Sequence, residues 1–204
     1  MNYDDYKASR DLSWRILIGQ NIDALPIRVS DVCRAFGVRL RGYSQSRDLL
    51  LSLGLCDICA ETDGFTINGV IFYDDIDCTI ARQRFTVAHE LGHIVLGHAP
   101  SRHNREPDPR DDPKEMAANV LASRLLAPAC VLWGCGVTDA QQIATLCEIS
   151  LPSALFRMER LQQLYERERL FLRKYGRSCF LMHPLERQVY AQFRAYIDSV
   201  KGRI

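Results

Sequence analysis

Apolar residues recur at helical spacing through most of the chain and alternate at strand spacing in only a few short places, which predicts a mainly helical protein with a small sheet. Residues 4–20 carry Tyr6, Leu12, Ile16 and Leu17 on one stripe ahead of Pro26, the pattern of a half-buried helix. Ser30 is placed to cap a second short helix that ends near Gly37. Residues 38–43 alternate as a strand, and residues 46–53 read as helix. Residues 64–73 read as two strands joined at Asn68-Gly69, a dipeptide that accepts the positive φ a tight hairpin needs. The expectation is a small antiparallel sheet, one edge of which can bind an extended peptide through main-chain hydrogen bonds.

Beyond the sheet, Val87, Leu91, Ile94 and Val95 form a stripe at helical spacing. A helix is expected over residues 115–126, ended by Pro128. Residues 138–149 and 150–173 read as two helices meeting at Ile149-Ser150, with Ile143, Leu146, Leu151, Leu155, Met158 and Leu161 as their shared packing. A last helix covers residues 185–200. This divides the chain into a domain over residues 1–135 and a helical extension over 136–204. A length of 204 residues with 47% apolar content is enough to bury a core of that size.

Charge changes the picture of the second half. The net charge is −5 over residues 1–154 and +6 over 155–204, so the tail suits an acidic partner, DNA, or the acidic part of its own chain. The short turn between the helices at 138–173 fits a helix-turn-helix. Against DNA binding, the whole chain carries only +1 and acids alternate with bases from Glu159 through Glu168, as on a solvated helix face. Direct nucleic-acid binding is the weaker reading.

The start, Met1-Asn2-Tyr3-Asp4-Asp5, lacks the basic and apolar runs of an export signal, and no unbroken apolar run reaches about 18 residues. A cytoplasmic protein with no membrane partner is expected. The eight cysteines, at positions 33, 56, 59, 78, 130, 135, 147 and 179, then read as reduced thiols. Cys56-x-x-Cys59 has no second pair of matching spacing, so a structural metal site or redox pair there is the lesser reading.

The chemistry centres on His89-Glu90-Leu91-Gly92-His93. On a helix the two histidines fall one turn apart on one face and can turn ring nitrogens toward one Zn²⁺. Glu90, on an adjoining face, can take a proton from water and later pass it to a leaving amine. Two histidines and a glutamate buried without a metal would be costly.

A catalytic zinc needs a third protein ligand, and Glu115 is the first candidate. Asp112-Pro113-Lys114-Glu115 also fits a helix cap with Pro at the first position and an acid at the third, a role that requires no metal. Asp108, Asp111 and Asp112 compete as ligands from a charged, Pro-rich stretch.

These motifs, residues 82–98 (RQRFTVAHELGHIVLGH) followed by ExxANxxAxxLLxP from Glu115 to Pro128, resemble the ImmA/IrrE-type metallopeptidases over roughly residues 8–165. Ala127 stands where the family often has Met, a change of packing rather than of ligands. The resemblance implies an α+β, zincin-like domain, zinc held by His89, His93 and Glu115, and Glu90 as catalytic base. It also implies that the substrate is a helix-turn-helix repressor, whose cleavage releases genes of a mobile element or stress regulon. The alternative is a non-catalytic, zinc-stabilised regulator that binds a repressor or DNA. Of the remaining histidines, His98 lies too far from His93 in sequence to share its metal and reads as structural. His103 sits in a polar loop able to gate a cleft, though a plain surface loop is the more economical reading. His183 is a weaker candidate for stabilising an oxyanion.

Overall fold

The helix that carries the two histidines starts where Thr79, extended at φ −61° and ψ 155°, accepts the Arg82 amide on its hydroxyl and leaves the next residues to wind. In the computed structural model, which describes residues 3–98, 112–180 and 183–201, the chain order is α1 (Tyr3–Gly19), α2 (Val29–Ala35), β1 (Arg39–Gly42), α3 (Tyr43–Ser52), α4 (Cys56–Glu61), β2 (Gly64–Ile67), β3 (Val70–Tyr73), α5 (Ile80–Val95), α6 (Pro113–Leu126), α7 (Ala129–Cys135), α8 (Ala140–Cys147), α9 (Leu151–Tyr175), α10 (Pro184–Gln192) and α11 (Arg194–Val200). The α+β class follows. Packing divides the chain into two compact units, Met1–Arg10 with Arg28–Ala122 and Asp11–Ile27 with Ser123–Ile204.

In the first unit the Asn68-Gly69 turn, with both residues at positive φ, closes the β2–β3 hairpin, so that Thr66 lies opposite Ile71. The sheet is mixed, and the antiparallel expectation is corrected at β1, which pairs parallel to β3 to give the order β1-β3-β2. The physical reason is the connection: α3 and α4 intervene after β1 and return the chain far enough for a parallel partner. Tyr43, Leu50, Phe65, Val70 and Phe72 pack around the sheet, and α5 lies against β2 and β3. Val87 and Leu91 are buried on α5, whereas Ile94 and Val95 are half-buried. The cap of α2 falls at Arg28, so Ser30 lies inside the helix.

The second unit packs α8 against α9 and α7 against α10 and α11. Asp139 and Gln142 form a reciprocal capping box at α8. On α9 the buried positions are Ala154, Arg157, Met158, Leu161 and Glu168. Leu151 and Leu155, expected inside, are 46% and 54% exposed. Helical phase explains Leu155, which lies one position off the stripe of Ala154, Met158 and Leu161, whereas Leu151 is in phase with that stripe and is exposed as the first residue of α9. The expected last helix is two, divided at Phe193, which is fully buried. Residues 113–135, long and apolar enough to span a membrane, are mostly buried and break at Ala127-Pro128 between α6 and α7.

Glu168 ties this unit together, accepting the amides of Cys179 at 2.6 Å and Phe180 at 3.2 Å. Burial pushes its pKa up, but bonds from Ser178, Cys179 and Phe180 outweigh that and hold the carboxyl below its ordinary 4.5. A depressed folded value means that the stabilisation is complete above about pH 4.5 and is lost as pH falls through the folded value. Glu168→Gln is expected to lower stability by roughly 1–3 kcal/mol at pH 7. Melting curves taken from pH 7 down to pH 3 should show its gap to wild type closing; a gap independent of pH would refute the charge-based account.

Candidate metal centre

Two helices build the site within the first unit. On α5, His89 and His93 are one turn apart, and their Nε2 atoms lie 3.0 Å from each other. On α6, Glu115 faces both, with Oε2 3.1 Å from His89 Nε2 and Oε1 3.2 Å from His93 Nε2. Bonds of 2.0–2.1 Å to a tetrahedral zinc separate neighbouring ligand atoms by about 3.3 Å, close to the triangle found here. The three groups are partly buried and their ligand atoms converge within 4.8 Å. The donor set therefore fits a metal ion that takes nitrogen and oxygen ligands.

Helix spacing makes this convergence possible. A Cβ on Gly92 would come within 3.2 Å of Ala118 Cα and 3.3 Å of its carbonyl oxygen, both backbone atoms. A side chain there would have to displace the α6 backbone at Ala118 by a few tenths of an ångström, so glycine allows the close approach of α5 and α6.

The start of α6 is capped by the residue three before Glu115. Asp112 Oδ1 accepts the Lys114 amide at 2.7 Å and its carbonyl accepts Met116, so Asp112 caps α6. Glu115 turns to the imidazoles. Their hydrogen bonds, opposed by burial, hold its carboxyl far below the ordinary carboxylate range. Burial disfavours charge on His89, but Glu115, Glu90 and Asn119 together move it net upward.

Glu90 is fixed from the sheet, where Thr66 on β2 donates its hydroxyl to Glu90 Oε2 at 2.8 Å. Two further polar contacts hold the histidines: His89 Nδ1 lies 2.9 Å from Asn119 Oδ1 and His93 Nδ1 lies 3.0 Å from His98 Nδ1. Sequence reasoning passed over Thr66 and Asn119. Asn119 had a visible signal, since it stands one helical turn after Glu115 on the same face. Thr66 had none, because strand register against α5 is a tertiary fact. His98 is outside the triangle, as its sequence distance implied, yet it touches the site through His93. Burial, with the charges of His93 and Lys114, biases His98 toward its neutral form.

His183 has Asp11 and Trp14 as neighbours, with Nε2 3.7 Å from Asp11 Oδ2 and rings 5.2 Å apart. His103, Asp108 and Asp111 lie outside the described residues. Cys56 and Cys59, like the other six cysteines, are free thiols. A second convergence, Asp63, Asp74 and Cys78, is occupied by local structure: Asp63 pairs with Arg82, and Asp74 accepts the amides of Ile76 and Asp77.

Residues 60–159 match the model of a peptidase family described as the IrrE N-terminal-like domain. No curated protein matches the chain.

Proposed function

Residues 60–159 belong to the ImmA/IrrE-type family of metallopeptidases, and from that premise we propose that this chain is a zinc-dependent endopeptidase that cuts a helix-turn-helix transcriptional repressor of a mobile element or stress regulon. The observation that carries the reading is the His89–His93–Glu115 triangle with Glu90 held beside it by Thr66. A purely structural zinc site would fill its fourth position with protein and would need no base.

His89, His93 and Glu115 would hold the ion. Zinc so bound supplies Lewis acidity toward a peptide carbonyl and brings the pKa of water toward about 7. Glu90 removes the proton from the attacking water and returns it to the leaving amine nitrogen, so that one carboxylate serves as base and then as acid. Among the described residues β2 pairs with β3 alone, and its outer edge offers main-chain groups to an extended peptide beside Thr66. Such a segment must leave its own helix or strand to pair there, which favours a loop or a locally opened region of the repressor.

Direct DNA recognition by the α8–α9 hairpin draws less support. The first turns of α9 expose Leu151, Leu155 and Phe156, the last 74% exposed, where base-edge readout needs polar or basic side chains.

The test is a comparison of protein N-termini in cells producing the wild-type chain or His89→Ala, in the cytoplasm, where the proposal places it. New N-termini within a helix-turn-helix protein, present only with wild type, are the expected result. Cuts confined to other proteins would overturn the substrate class, and identical N-termini in both would overturn the peptidase reading.

A further inference from the structure

We infer that Asn119 and His98 are positioning residues that fix the tautomer and ring orientation of His89 and His93, so that both imidazoles present an Nε2 lone pair to one point. The inference rests on the metal reading above and deepens it. Asn119 Oδ1 can only accept, so its 2.9 Å contact places a proton on His89 Nδ1. A neutral imidazole carries one N–H, which leaves Nε2 as the bare nitrogen. The 3.0 Å contact between His93 Nδ1 and His98 Nδ1 likewise needs one donor and one acceptor. On the other side of His93, Nε2 stands 3.0 Å from His89 Nε2 and 3.2 Å from a Glu115 oxygen. With His93 donating from Nδ1, all the groups of the triangle offer lone pairs inward, an arrangement that a cation stabilises and its absence does not.

Each clamp has its own means of placement. Asn119 lies four residues after Glu115 on α6, so one helix face supplies a ligand and the group that orients the ligand opposite. His98 is brought back over α5 by a helix-ending turn: Gly97, at φ +71°, donates to the Ile94 carbonyl at 3.1 Å, and the His98 amide donates to the His93 carbonyl at 2.9 Å. The left-handed conformation favours glycine at that position. The two rings meet edge to face, with centroids 5.0 Å apart and planes at 66°. Partners of this kind raise ligand basicity and reduce the freedom lost on binding metal.

The test is zinc affinity of the full chain by chelator competition, with the imidazole tautomers read from long-range proton–nitrogen NMR correlations. Asn119→Leu and His98→Leu are expected to weaken zinc binding about 10–100-fold. Asn119→Asp and His98→Gln, which keep an acceptor, are expected to recover most of that loss, a pattern that a packing role would not produce. In the zinc-loaded wild type both rings should carry the proton on Nδ1. Leu variants with wild-type affinity, or coordination through Nδ1 of either ring, would overturn the inference and leave the His-His-Glu centre standing. A wild type that takes up no zinc would overturn that centre and the inference together. Should the Leu variants not fold, the wild-type tautomers decide the matter.

Discussion

The purified wild-type chain is expected to hold about one zinc ion, and Glu115→Ala to lose most of it at the same free zinc concentration. Apparent binding free energies of ~10–16 kcal/mol spread over four ligands give about 3 kcal/mol for each, or on the order of a hundredfold in affinity. The Glu115 carboxylate meets both imidazoles, so its removal takes away the only negative charge in the triangle. Asp112→Ala is the paired control. It removes the α6 cap, which costs about 1 kcal/mol of stability, and should leave zinc in place. Elemental mass spectrometry on the two variants, with melting curves of the metal-free proteins, separates the roles of two carboxylates three residues apart. If Asp112→Ala lost zinc and Glu115→Ala kept it, the ligand assignment would move to Asp112.

That separation also marks what the chain discloses without coordinates. The His89/His93 pair needs only the 100° advance of a helix to be placed on one face, and the segment is helical throughout. The hairpin at Asn68-Gly69 is equally local. Glu115 remained divided between cap and ligand because both roles are compatible with the third position of a helix; only the approach of α5 at Gly92 against Ala118 brings histidines within its reach. The parallel pairing of β1, the phase of α9 and the contact from Thr66 depend on which elements come together, which short-range pattern does not encode. Leu155 shows the difficulty: its type favours burial, and α9 turns it outward because the buried face of that helix is the one that carries Ala154 and Met158.

Glu90→Gln should retain zinc and lose repressor cleavage by roughly 10²–10⁴-fold in kcat, the range expected when a general base is removed. The change is nearly isosteric, and an amide oxygen can still accept the Thr66 hydroxyl that now binds Glu90 Oε2. The side chain should therefore stay in place while losing its ability to take a proton. Glu90 is not one of the three groups that converge, so metal content should match wild type, unlike Glu115→Ala. Single-turnover cleavage of an identified repressor, measured beside zinc content, distinguishes a failed base from an empty site. Loss of zinc in Glu90→Gln would make Glu90 part of the metal set, and wild-type cleavage by a zinc-loaded Glu90→Gln would remove it from the reaction. In the second case the proton would need another acceptor. Thr66 is too weak a base for that role, so a different carboxylate or imidazole would have to supply it.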